Sequence, residues 1–470
     1  MATPDTTFVL PEKRGPGGRR RLVSERTSGW RYLPFVVALA LGVALRGLAM
    51  LGYRPALLFW ADSYAYLESA AHPVPGEFRP LGYSLFLAAL APGPGLTLVT
   101  AVQHLLGLGL AVAVYALLVR RGLSRWAATA LAAPLLYDEF LILLEHMIMA
   151  DALFTVLAAG GVLVLLRRRI TPAAAVTAGV LLSLAAVTRT IGVVVLALAA
   201  VWLPLRRGTG WRIWVTFTAA GLVPVLAYAG WMSATSGVFG LTRADGMFLW
   251  ARTTTFADCS VIRPEARLAK LCPVTPVDDR PSPPFWLWAT WSPMYKMRGD
   301  RNGPAGEFAR AAILAQPGDY LAAVGEDLGS LLRWERTTSP AEARQRNPYW
   351  FPLEERPLKS SVRPIVEAYE GGPGATRIHE PYAGALRAYQ RFGYLPFPLL
   401  VFALAGTLIA AAVRRRHDAL LPGLTAAVLI PGFDIRYVVP AIPFACLAAG
   451  LTLRKDGTPE TERSAGPSPR

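Results

Sequence analysis

Ionisable side chains gather toward one end of the apolar segments of this 470-residue sequence. Charge at membrane depth is costly and is retained mainly where it forms a site or a pore. The residues concerned are Arg46, Asp62, Arg79, Glu145, His146, Asp151, Arg189, Asp434 and Arg436. A carboxylate can accept a proton and arginines can hold anionic oxygens, so this set indicates chemistry on a substrate that carries a phosphate.

Asp62 follows the first apolar segment and lies among aromatic residues, in Trp60-Ala-Asp-Ser-Tyr-Ala-Tyr66. A carboxylate there could approach a sugar at the membrane interface, and we interpret Asp62 as the catalytic base. The alternative is a helix N-cap, because aspartate before Ser-Tyr-Ala-Tyr-Leu-Glu is also a capping pattern. The sequence leaves both interpretations open.

Three arginines, Arg79, Arg189 and Arg436, are predicted to bind a phosphate, because each offers a planar fork of donors. The alternative for each one is snorkelling to lipid headgroups. Arg46 lies deeper in its apolar segment, and we expect it to reach the same site or to pair with Asp62.

Glu145, His146 and Asp151 flank a short predicted turn, and carboxylate plus imidazole could hold a divalent cation there. A polar, hydrogen-bonded helix junction is the favoured alternative for His146. His104, beside Gln103, is interpreted as a packing or interhelical hydrogen-bond residue rather than a ligand.

The composition is that of a membrane protein, since 53% of residues are hydrophobic, 17% are charged and the mean hydropathy is +0.36. The net charge of +16 does not indicate nucleic-acid binding, because the basic residues form short clusters between apolar runs. Such clusters are typical of cytoplasmic loops. We therefore predict a multi-pass protein of the plasma membrane that contacts membrane lipids, with both termini cytoplasmic.

The apolar runs predict an all-α fold with about ten transmembrane helices. The predicted spans are 31–52, 95–119, 124–143, 147–166, 173–189, 191–205, 212–232, 394–413, 418–433 and 436–453. The corresponding organisation is a disordered basic tail (1–30), seven helices (31–232) with a first outer loop (53–95), an extracytoplasmic loop domain (233–392), three helices (393–453) and a second cytoplasmic tail (454–470).

Both outer loops are expected to contain helices. The first has amphipathic stretches typical of interfacial helices, and the second has helical spacing from Glu307 to Trp334 with a turn at Gln316. Cys259 and Cys272 share the second loop, where an oxidising setting favours a disulfide over two free thiols. Cys446 is interpreted as a packing residue of the last span.

Five short motifs together resemble the GT-C class of membrane glycosyltransferases, especially the branch of protein O-mannosyltransferases and bacterial aminoarabinose transferases. They are Asp62-Ser-Tyr-Ala-Tyr-Leu, Arg79-Pro-Leu-Gly-Tyr-Ser-Leu-Phe86, Ala150-Asp-Ala-Leu-Phe-Thr155, Thr188-Arg-Thr-Ile-Gly192 and Arg436-Tyr-Val-Val-Pro440. The resemblance covers most of residues 31–453. Ser63 stands where many members carry a second carboxylate.

The resemblance implies a polyprenyl-phosphate sugar as donor and an extracytoplasmic acceptor that is a glycan, a protein or a lipid. It also implies transfer with inversion, and it places Tyr437 beside Arg436 in donor binding. Two other classes fit the same residues. One is a transporter or lipid flippase without transferase activity, and the other is a non-catalytic membrane scaffold.

Overall fold

The computed structural model describes residues 29–330, 332, 334, 349–430 and 435–453. Asp434 lies outside the described residues, as do the second predicted tail and all but the last two residues of the first. Within the described ranges the chain is mainly helical. The only strands there, Tyr53–Arg54 and Arg377–Ile378, pair antiparallel with Tyr53 opposite Ile378. The prediction of an all-α fold is confirmed.

Apolar helices coincide with each predicted span. They are Leu33–Gly52, Gly95–Arg120, Arg125–Tyr137, Glu139–His146, Ala150–Leu165, Pro172–Thr188, Gly192–Leu205, Trp211–Ser236, Phe397–Val413, His417–Leu429 and Ile442–Leu453. A short helix, Ile435–Val438, and a 3-10 turn, Val439–Ala441, lead into the last of these.

Length separates these helices into two groups. Among the described residues, four helical segments are long and apolar enough to cross a membrane: Leu33–Gly52, Gly95–Arg120, Trp211–Ser236 and Arg436–Leu453. A bent pair of helices makes a fifth candidate. The helices of 14 to 17 residues rise only about 21–26 Å, which is less than the roughly 30 Å of a hydrocarbon core. The count of about ten spans therefore stays a prediction.

The bent pair corrects the predicted span 124–143. Its two helices, Arg125–Tyr137 and Glu139–His146, meet at 46°. Asp138 causes the break, because its Oδ1 accepts hydrogen bonds from the backbone N–H groups of Phe140 and Leu141 and so starts a new helix. Its Oδ2 accepts another from Leu395 N at 2.8 Å, which fixes the bend against the chain that enters Phe397–Val413.

Apolar side chains on the outside of the bundle suit contact with lipid. On Leu33–Gly52, Val36, Val37 and Leu41 are 49–56% exposed, whereas Ala38 and Ala49 pack inward. A contiguous exposed apolar surface of this kind marks a membrane or protein contact.

The two segments predicted to be outer loops contain helices, as expected. The helices of the first loop are Trp60–Ala71 and Gly82–Leu90, and those of the second are Asp245–Thr253, Cys259–Ile262, Pro283–Trp288, Pro293–Lys296, Asn302–Ala315, Pro317–Ser330, Arg363–Glu370 and Tyr382–Tyr389. The predicted turn at Gln316 separates two of them. The second loop has its own core, with Trp250, Trp286 and Phe308 buried together.

The cysteine predictions are confirmed. Cys259 and Cys272 form a disulfide with their Cα atoms 6.0 Å apart, and the thiol of Cys446 is free and buried.

Candidate functional site

Asp62 lies in the first turn of Trp60–Ala71 and is held by two arginines. Its Oδ1 forms an ion pair with Nη2 of Arg79, and its Oδ2 accepts a hydrogen bond from Nη1 of Arg436 at 2.9 Å. The N-cap interpretation of Asp62 is wrong, because the N-cap is Phe59. Instead the Ser63 hydroxyl accepts the Phe59 N–H at 2.7 Å, which leaves the Asp62 carboxylate turned toward the arginines.

Tyr437 connects the contacts of Asp62 with a second ion pair, formed by Arg189 and Asp151. Arg436 Nη2 donates to the Tyr437 hydroxyl at 3.1 Å. The guanidinium of Arg189 lies 4.8 Å from the centre of the Tyr437 ring, and Arg189 Nη1 pairs with Asp151 Oδ1. We call these six residues the outer cluster: Asp62, Arg79, Asp151, Arg189, Arg436 and Tyr437.

The outer cluster is partly open to solvent and is rich in arginine. The side chains of Arg79, Arg189 and Arg436 are 22%, 14% and 16% exposed, and that of Asp62 is 18% exposed. Among the six residues of the outer cluster, three guanidinium groups accompany two carboxylates. Partly exposed guanidinium groups have the geometry that suits an anion such as a phosphate.

The two arginines that contact Asp62 also favour its ionised form. Burial raises the pKa of its carboxyl group, but the charges and hydrogen bonds of Arg436 and Arg79 outweigh burial and hold the pKa below its ordinary value. Asp62 is therefore a carboxylate at neutral pH and can accept a proton.

Close helix contacts bring the segments of the outer cluster together. Gly82 follows Arg79 closely, and a Cβ atom there would lie 2.6 Å from the carbonyl oxygen of Val187. Only glycine allows this approach, which brings the chain carrying Arg79 beside the end of the helix that precedes Arg189. The Ser63 hydroxyl donates to the Ile148 carbonyl at 2.9 Å, which ties the helix of Asp62 to the segment just before Asp151.

A second group of polar residues lies inside the bundle. Arg46 binds both carboxylate oxygens of Glu145, at 2.8 and 2.9 Å. Nδ1 of His104 lies 2.9 Å from Glu145 Oε2, and its Nε2 lies 3.1 Å from Nδ1 of His146. The last contact of this series is between His146 Nε2 and the Tyr53 carbonyl oxygen, which are 2.6 Å apart. We call Arg46, His104, Glu145 and His146 the buried cluster.

The buried cluster corrects the prediction for Arg46. This arginine pairs with Glu145 and not with Asp62, and three carbonyl oxygens, of Gly42, Leu135 and Leu136, accept its remaining hydrogen bonds. The Arg46 side chain is only 3% exposed, and this burial does not fit a side chain that snorkels to lipid headgroups. His104 and His146 have the interhelical hydrogen bonds that the sequence favoured for them.

The residues predicted to hold a cation are divided between the two clusters. Glu145 and His146 end one helix and Asp151 begins the next, where Arg189 engages it. In the described ranges no group of three or more His, Cys, Asp and Glu side chains is placed to share a metal ion. As arranged, Glu145, His146 and Asp151 do not fit a common divalent cation.

A contact between the two outer loops was not predicted. Arg301 Nη2 donates to both oxygens of Glu77, at 2.8 and 2.7 Å, and the Glu77 carbonyl accepts from Arg243 N at 2.8 Å. Glu77 and Arg301 are 224 residues apart in sequence. The only signal that could have drawn attention to Glu77 is its position two residues before Arg79.

Comparison with family models found no match to this chain, and a search of curated proteins found none either. The resemblance to GT-C glycosyltransferases stays a prediction.

Proposed function

We propose that this protein is an integral membrane glycosyltransferase that moves a sugar from a polyprenyl-phosphate donor to an acceptor at the extracytoplasmic face. One observation carries the proposal. The residues interpreted from sequence as base and phosphate ligands, together with Asp151, come from five separate segments and form one continuous set of contacts, the outer cluster.

The reaction would use Asp62 as base. An acceptor hydroxyl attacks the anomeric carbon, the bond from that carbon to the phosphate oxygen breaks, and the hydroxyl proton passes to Asp62. The polyprenyl phosphate leaves with one more negative charge than it had in the donor. Arg189 and Arg436 would stabilise that charge, so the leaving group needs no proton. A single displacement of this kind inverts the anomeric centre.

Donor binding would also prepare Asp62 for its role. Both carboxylate oxygens are engaged by arginines, which lowers the basicity of the carboxylate toward an acceptor hydroxyl. A donor phosphate that attracts Arg436 would release Oδ2. The donor would therefore bind before the acceptor becomes reactive.

Reconstitution tests the proposal. The purified protein, in lipid nanodiscs, is incubated with radiolabelled polyprenyl-phosphate mannose or arabinose and cell-envelope extract. Transfer of label to extract components, absent with the Asp62→Asn variant, is the expected result. Absence of transfer from both donors, with a folded protein that also fails to bind them, would contradict the function.

The proposed topology has about ten spans, with the second loop outside and both termini inside. Leu314 is 81% exposed on Asn302–Ala315 and gives a labelling site in that loop. An impermeant maleimide should label Leu314→Cys in intact cells, while Arg168→Cys should react only after lysis. The background is low because Cys446 is buried and the other two cysteines are bridged. The reverse pattern would overturn the topology.

A transporter is the second candidate, and the buried cluster is the observation that favours it. Ionisable residues inside apolar helices are typical of proton relays in transporters. Proteoliposomes separate the two functions, because movement of a labelled polyprenyl-phosphate sugar across the bilayer without transfer would favour the transporter.

A further inference from the structure

A group of aromatic side chains is linked to the outer cluster through Phe78, which is partly buried and precedes Arg79. Trp288 and Trp291 are 46% and 47% exposed, although the neighbouring Trp286 is buried in the core of the second outer loop. The Phe78 ring lies edge-on to Trp288 with the ring centres 4.7 Å apart. We call Phe78, Trp288 and Trp291 the aromatic ledge.

Buried neighbours support the Trp291 end of the aromatic ledge. The indole N–H of Trp286 donates to the Pro281 carbonyl, and its ring packs against those of Trp250 and Trp291. The Ser292 hydroxyl donates to the Trp286 carbonyl and accepts the Met294 N–H. A surface fixed in this way loses little conformational freedom when it binds a ligand.

A polar pair lies directly beside the aromatic rings. The Arg301 guanidinium is 5.8 Å from the centre of the Phe78 ring and forms two hydrogen bonds with Glu77. The two side chains of this pair are 25% and 29% exposed. They therefore retain hydrogen-bonding capacity toward solvent or a ligand.

Three consecutive residues connect this surface to the proposed reaction centre. Glu77 binds Arg301, Phe78 contacts Trp288, and Arg79 binds Asp62. A ligand on the aromatic ledge would thus lie next to the base, on the side of the outer loop and away from the apolar helices.

We propose that the aromatic ledge binds a sugar ring of the acceptor, so that the acceptor is a glycan. This inference rests on the proposed function. An aromatic face suits the C–H face of a sugar ring, and a planar carboxylate and guanidinium suit pairs of hydroxyl groups. A lipid tail cannot form hydrogen bonds with the charged pair of Glu77 and Arg301. A few precisely placed polar groups beside aromatic rings are typical of a small-ligand site.

Binding measured without turnover tests the ledge. Full-length protein in nanodiscs is titrated with tetrasaccharides of glucose, mannose, galactose and arabinose, and with a Ser/Thr-rich hexapeptide. We expect saturation-transfer NMR signals from at least one tetrasaccharide and none from the peptide. Trp288→Ala should weaken that binding by about tenfold. Trp288→Phe, which keeps an aromatic face, should recover most of it.

The matched control is Trp126→Ala, which removes an indole that is 73% exposed at the start of Arg125–Tyr137, far from the ledge in the predicted topology. It should bind the tetrasaccharide as the wild type does. Trp291→Ala gives a second variant, should Trp288→Ala elute as aggregate. The proposal is overturned by peptide binding without sugar binding, or by wild-type affinity in both ledge variants.

The two proposals fail separately. Transfer of labelled sugar with unchanged kinetics in both ledge variants would remove the glycan site and leave the transferase. Tetrasaccharide binding that depends on Trp288, in a protein without transfer or donor binding, would remove the transferase and leave the glycan site.

Discussion

The outer cluster and the buried cluster contain the same kind of contact, an arginine paired with a carboxylate, in two different settings. Arg46 and Glu145 are 3% and 6% exposed, while Arg436 and Asp62 are 16% and 18% exposed. Arg46 donates two hydrogen bonds to Glu145 and three more to backbone carbonyl oxygens. Arg436 holds Asp62 through one nitrogen.

This difference separates a structural role from a binding role. In the enclosed pair each charge is balanced by its partner, and either partner alone would be an uncompensated charge in an apolar bundle. A partly exposed pair joined by single hydrogen bonds can exchange one partner for a ligand oxygen. Ionisable residues near apolar helices are therefore not sufficient to define a site, and exposure decides between the two roles.

The largest expected effect is on stability in the buried cluster. Glu145→Leu leaves the Arg46 charge without its carboxylate and should lower the free energy of unfolding by about 3–5 kcal/mol. Denaturant unfolding in detergent measures this. The double variant Arg46→Met/Glu145→Leu should regain a large part of the loss, and a single variant as stable as the double would contradict an enclosed ion pair.

Arg436→Ala is expected to act on the ligand more than on the fold. Loss of a charge-assisted hydrogen bond costs about 1.5–3 kcal/mol, so donor affinity should fall by roughly 10- to 100-fold. Titration with a polyprenyl-phosphate sugar measures the change. The exposed Arg212 on Trp211–Ser236 is the control, since Arg212→Ala should leave affinity unchanged. Equal affinities in the two variants would remove Arg436 from the donor site.

The smallest effect concerns acid pH. The pKa of Asp62 is lowered in the fold, so its ionised form contributes stability above the unfolded pKa and loses that contribution as pH falls through the folded pKa. The difference in Tm between the wild type and Asp62→Asn should therefore shrink on acidification from pH 7. A difference that grows as pH falls would show that Asp62 is not held by Arg79 and Arg436.

Much of the outer cluster could be predicted from sequence, because charged residues at the ends of apolar runs are conspicuous. Asp62, Arg79, Arg189 and Arg436 were assigned to one site and lie in one set of contacts. Arg46 was misassigned, since position along a span does not reveal which neighbouring helix it faces. The break at Asp138 is also absent from the predicted spans, although Asp138 and Glu139 interrupt the apolar run and aspartate is a favoured N-cap residue.

Contacts between the two loops could not be predicted from sequence, for a different reason. Pairing of Glu77 with Arg301 depends on how the second loop folds back over the first, and no local pattern encodes it. Helix existence, in contrast, follows from local apolar periodicity, and the predicted helices on both sides of Gln316 are confirmed.

The most direct test of the account is the Asp62→Asn variant, assayed for sugar transfer and for donor binding in the same nanodisc preparation. Asparagine keeps the size of the side chain and removes its capacity as a base. Turnover should fall by about 10²-fold or more while the donor is still bound. Transfer at the wild-type rate would contradict the assignment of Asp62 as the base and, with it, the catalytic role of the outer cluster.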